Sequence, residues 1–181
     1  MEMSANIIIF QIIVLVFSAI IHEFMHGWMA DQLGDPTAKN SGRLTLNPIP
    51  HIDPVGSLLL PLLQSFILVA TGAGIVFGWA KPVPYNPYNL RDQKWGPAKV
   101  AAAGPAANLI TAAFFGLLLR FLPVASPELV MLFQIIVLIN LLLMVFNLVP
   151  IPPLDGSKVI MPFLPLNWQI KYMRLEQYGM L

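Results

Sequence analysis

The chain has no cysteine among its 181 residues. That rules out disulfides, thiolate nucleophiles and cysteine-ligated zinc. Charge is scarce as well: 10% of residues are Asp, Glu, Lys or Arg, against about 25% in soluble domains. A net charge of +1 leaves no basic footprint for nucleic acid. No internal repeat or long polar insert breaks the chain. The early residues carry only Glu2, not the basic region of a cleaved signal peptide, so the first apolar run is read as part of the protein. Histidine is rare too, with three in all, and two of them sit four residues apart inside that run.

What is present is apolar: 57% of residues are hydrophobic. Crossing a bilayer as a helix takes about 20 mostly apolar residues. Four stretches qualify: 5–30, 54–80, 100–119 and 129–154. The second holds 27 uncharged residues but carries Pro61, Gly72, Gly74 and Gly78, with proline-rich sequence on both sides. Irregular backbone at membrane depth needs protein or a wet cavity around it. A helix entering from Ser57 with an extended return through residues 74–83 is one reading; an ordinary crossing helix is the other.

Seventeen uncharged residues, Ala5 to Ile21, precede "HEFMH" at 22–26. His22 and His26 have helical i, i+4 spacing and share a face. Two imidazoles on one face can bind one metal ion, and Glu23 beside them can take a proton from a water that the ion activates. The bland alternative is a polar patch between packed helices. Ionisable groups inside a membrane are costly and mark function by default, which favours the metal site. Catalytic zinc commonly has three protein ligands and an open position. His51, Asp53 and Asp155 are the candidates for the third. Asp155 is favoured, because it ends the fourth apolar stretch where Pro152 and Pro153 stop the helix. His51 is a ligand or substrate-positioning candidate, against the plainer reading of a polar interfacial histidine.

Three motifs in order, "HEFMH" at 22–26, "GPAAN" at 104–108 and "NLVPIPPLDG" at 147–156, resemble those of the site-2 protease family of intramembrane zinc metalloproteases. The resemblance implies His22, His26 and Asp155 as ligands of one zinc ion, Glu23 as general base, and Asn147 as a donor to the oxyanion. Asn108 is carried as a core-packing residue that is also a weak substrate-side candidate, beside His51. The implied activity is endopeptidase cleavage in or near transmembrane segments of single-pass membrane proteins. The chain departs from the family's simplest core in the long apolar segment between the first two motifs, and it has no insert of the PDZ type.

The expected architecture is an all-α polytopic membrane protein forming one domain over 1–181. It has spanning helices at 5–30, 98–121 and 129–150, a re-entrant helix/strand segment at 54–82, and an interfacial helix at 166–181, where a truncated chain is one reading. Ligands at the C-terminal ends of the first and fourth stretches must face the same side, so the second must leave and return on one side. Nine of the ten Lys and Arg residues then lie on the active-site side and only Arg120 opposite. By the positive-inside bias the site opens to the cytoplasm and the N-terminus lies outside. Two rivals differ in class. A zinc-binding membrane protein without hydrolase activity would not need Glu23. A metal or ion transporter would show repeats or paired broken helices.

Overall fold

In the computed structural model, residues 5–71, 78, 80–121 and 126–178 are described. Seven helices are named in chain order: α1 (Ala5–Gln32), α2 (Thr37–Asn40), α3 (Leu60–Thr71), α4 (Gly96–Phe121), α5 (Pro127–Asn147), α6 (Asp155–Ile160) and α7 (Leu166–Tyr178). Among the described residues there is no strand.

Helices α1, α4 and α5 are each long and apolar enough to cross a membrane. At 1.5 Å per residue even the 21 residues of α5 span about 32 Å, matching a hydrocarbon core of about 30 Å. Their outer faces show Ile9, Ile13, Phe17, Ile110, Phe114, Leu138, Leu142 and Phe146 exposed. A water-soluble monomer rarely leaves apolar surface so continuous, and lipid is the solvent that suits it. The fold is that of a multi-pass membrane protein.

α1 and α4 run antiparallel, and their contacts step down both helices at i, i+4, i+8. Ser18, His22 and His26 of α1 meet Asn108, Gly104 and Val100 of α4. α5 returns antiparallel to α4, with Asn140 against Asn108 and Phe133 against Phe115. α1 and α5 therefore run in the same direction, and their C-terminal ends share a side.

α1 ends at a glycine turn. Gly34 takes φ +107°, and the Leu33 and Asp35 N–H groups bond back to Met29 and Ala30, as a left-handed residue after a helix allows. Asp35 then accepts from Thr37, Asn86 and Asn89, tying the end of α1 to the loop before α4. At the other boundary α5 stops at Asn147. The apolar sequence continues to Leu154, but Pro150, Pro152 and Pro153 cannot extend a helix, and Asp155 opens the separate helix α6. Tyr172 of α7 donates to the Pro150 carbonyl at 3.0 Å, and Phe163 stacks edge-on against Trp95 at 5.0 Å.

The segment from residue 54 forms a π-turn over Pro54–Leu59 that leads into α3. Asp53 caps it by accepting from Val55 and Gly56 N–H at 3.0 and 2.7 Å. The expected extended return falls partly outside the described residues, at 74–77 and 79. Its described end, 80–86, is without regular structure and pairs into no strand. Pro82 and Pro84 lack the N–H groups a ladder needs.

Candidate active site

The side where α1 and α5 end holds a cavity of about 350 Å³ lined by His22, Glu23, His26, Asn147 and Asp155 among others. Ligand atoms of His22, Glu23 and His26 lie within 4.8 Å of one another. One oxygen of Asp155, Oδ2, lies 3.0 Å from His22 Nε2 and 3.2 Å from His26 Nε2.

The protons on the two rings follow from their other nitrogens. His26 Nδ1 lies 2.7 Å from the Val100 carbonyl, which can only accept. His22 Nδ1 lies 2.6 Å from Asn108 Oδ1. The Asn108 amide is fixed in that sense because its Nδ2 donates to Asn140 Oδ1 at 2.9 Å and to the Ser18 carbonyl at 3.3 Å. Both histidines, when neutral, therefore carry hydrogen on Nδ1 and a lone pair on Nε2. Two lone pairs and a carboxylate oxygen then converge on one point with nothing donating between them. Such a group calls for a cation. Tetrahedral zinc with ligand bonds of about 2.0–2.1 Å sets its ligand atoms about 3.3 Å apart, close to the spacing found. The donor set fits zinc.

The glycines admit the ligands. A Cβ on Gly104 would stand 2.6 Å from both Nε2 atoms, and one on Gly156 would run into the backbone of Leu148 and Val149. Glu23 projects into the cavity and accepts from the Val83 N–H at 2.8 Å. Gly27, one turn further on, gives Val83 room: a Cβ there would sit 2.8 Å from Val83 Cγ1.

The sequence candidates thus fall into three groups. His22, Glu23, His26, Asp155 and Asn147 share the cavity, with the Asn147 amide donating to the Leu143 carbonyl at 2.9 Å. Asn108 stands behind His22 as its hydrogen-bond partner rather than at the cavity wall. His51 is buried elsewhere, its Nε2 2.8 Å from the Thr45 carbonyl, beside a narrow apolar pocket along α1; Asp53 is the helix cap already described.

Two partners carried no flag in the sequence reading. Asn140 is fully buried and bonds to Asn108 and to Ser18 Oγ. Its signal was there, as a lone amide within an apolar span. The Val83 N–H gives none, because a main-chain donor carries no residue type.

Known proteins similar to this chain carry the name of zinc metalloproteases. The family model described as "Peptidase family M50" matches residues 123–180. "Putative zinc metalloprotease YwhC" of Bacillus subtilis is 40% identical over 178 residues, covering 94% of this chain and 76% of that protein. "Putative zinc metalloprotease Rip2" of Mycolicibacterium smegmatis is 33% identical, over 92% of this chain and 61% of its own length. "Putative zinc metalloprotease MJ0611" of Methanocaldococcus jannaschii is 30% identical, over 97% and 81%. No solved structure matches. Fold, donor set and relatives define the class, a zinc metalloprotease with membrane-spanning helices. Within that class the chain belongs to peptidase family M50, the site-2 protease family.

Proposed function

We propose that the protein is an intramembrane endopeptidase that hydrolyses peptide bonds in or near transmembrane segments of single-pass membrane proteins, using one zinc ion per chain. The observation that carries this reading is the convergence of His22 Nε2, His26 Nε2 and Asp155 Oδ2 beside a carboxylate that is not needed as a ligand. A zinc ion held by these three groups supplies Lewis-acid polarisation of the scissile carbonyl and lowers the pKa of water.

The rest is the work of the chain itself. Asn108 and the Val100 carbonyl fix the imidazole tautomers, as partners behind a metal ligand do. Glu23, steadied by the Val83 N–H, takes the proton of the attacking water and hands it to the leaving amine. The Asn147 amide has two N–H bonds and spends one on Leu143; the other is available to the oxyanion. A substrate helix must unwind before its carbonyl can be attacked, and the 80–85 segment beside the cavity is where an unwound peptide would lie. The site faces the cytoplasm and the N-terminus the outside, in keeping with the nine-to-one distribution of basic residues. α7 lies at the interface, with Lys171 over the Trp168 ring at 5.0 Å.

The test is Glu23→Gln. It should keep zinc and lose all cleavage of a labelled single-pass reporter that the unmutated protein cleaves. Undiminished cleavage by Glu23→Gln would end the general-base assignment.

A further inference from the structure

Glu23 is held by a main-chain N–H, so the question is what holds that peptide. The other end of the same peptide unit is the Pro82 carbonyl. Arg43 Nη2 donates to it at 3.1 Å and to the Lys81 carbonyl at 3.1 Å. Through Nη1 the same guanidinium donates to the Pro50 carbonyl. A further bond runs from Lys81 N–H to the His51 carbonyl at 2.8 Å. Arg43 thus fastens the 80–83 segment to the turn at 48–52, across 38 and 39 residues of sequence. Pro82 and Pro84 have no N–H, which leaves Val83 as the single donor between them.

We propose that Arg43 is a positioning residue for the general base. It acts through the Pro82–Val83 peptide, whose carbonyl it grips and whose N–H holds Glu23. This rests on Glu23 being the base. Two physical effects follow from the geometry. The guanidinium fixes the peptide plane, so the N–H keeps aiming at the carboxylate. A cation on the carbonyl also polarises the amide and strengthens its N–H as a donor, as chained hydrogen bonds do. Arginine suits the place because its planar fork reaches three carbonyls at once, whereas a lysine ammonium is a point charge on a flexible stem. None of these hydrogen bonds ends on His22, His26 or Asp155, so zinc binding should be indifferent to Arg43.

The experiment uses the full chain in detergent, with Arg43→Gln and Arg43→Lys. Zinc content, hydrogen exchange over 81–85 and steady-state cleavage of the Glu23-dependent reporter are measured together. Only Lys81, Val83 and Tyr85 carry amide hydrogens in that stretch, so the exchange signal is simple to assign. Arg43→Gln is expected to keep zinc, to exchange Val83 at least about tenfold faster, and to lower kcat by about 10–100-fold with KM within about twofold, the scale of losing hydrogen bonds to a charged group. Arg43→Lys should recover part of both losses, and it carries the test alone if Arg43→Gln does not fold. Unchanged Val83 exchange, faster exchange with unchanged kcat, or a change in KM alone would each overturn the proposal, as would loss of zinc in a folded Arg43 variant. If no reporter is cleaved in a Glu23-dependent way, the proteolytic reading fails, and the exchange arm still decides whether Arg43 holds the Val83 peptide.

Discussion

Gly104→Ala is the smallest change that should damage the metal site. Its added Cβ would lie 2.6 Å from His22 Nε2, from His26 Nε2 and from His26 Cε1. Ordinary contact needs about 3.4–4.0 Å, so α4 or the two imidazoles must give way by about 1 Å. The rings cannot turn freely, because each is held behind by Asn108 or the Val100 carbonyl. Two terms compete in stability. Alanine gains about 1 kcal/mol of helix propensity over glycine, and overpacking costs about 1–3 kcal/mol. The net cost is about 0–2 kcal/mol, so the metal-free protein should melt no more than about 8 °C below the parent. The metal site has no such compensation. Disturbing the setting of a ligand costs about 10–100-fold in affinity, and zinc affinity measured by chelator competition should fall by that much. Gly116→Ala is the control, since nothing stands within 4 Å of a Cβ there, and it should leave zinc affinity alone. Zinc affinity of Gly104→Ala within twofold of the parent would refute the packing argument.

Two further outcomes follow from the same contacts. Asn108→Ala leaves His22 Nδ1 and Asn140 Oδ1 without their Asn108 partner, so zinc affinity should drop about tenfold or more, with a stability loss of about 1–3 kcal/mol read from thermal melts. For Asp35, burial would raise the carboxyl, but hydrogen bonds from Thr37, Asn89 and Asn86 outweigh it and hold it low. Its contribution is therefore complete above the unfolded value of about 3.9 and disappears as pH falls through the lower folded value. Thermal stability should show no contribution from Asp35 to any change between pH 7 and 5, and the gap between parent and Asp35→Asn should close only below about pH 4; a gap that closes near neutrality would contradict the assignment.

Much of this architecture was legible because lipid imposes simple rules. Runs of about 20 apolar residues locate α1, α4 and α5, while α1 runs on to Gln32, past the expected 30, and α5 opens at Pro127, before the expected 129, with Ser126 as its cap. "HEFMH" was legible because helical spacing puts His22 and His26 on one face. Asp155 was reachable by requiring a third ligand. The residues behind the ligands were harder. Asn108 and Asn140 form one network only because α4 packs on both α1 and α5, and a pairing 32 residues apart leaves no local pattern. The stop of α5 was legible from Pro152 and Pro153, though the helix ends at Asn147 rather than at the expected 150. The grip of Arg43 on the Pro82–Val83 peptide was beyond reach, since it depends on main-chain groups and on how the chain folds back between α2 and α4.

Zinc per chain in the detergent-purified protein, beside His22→Ala and Asp155→Ala, tests the central claim most directly. One zinc per chain, lost or sharply weakened in both variants, is the expected result for three convergent ligands. Full zinc retention in Asp155→Ala, or no zinc in the parent after metal has been supplied, would contradict it.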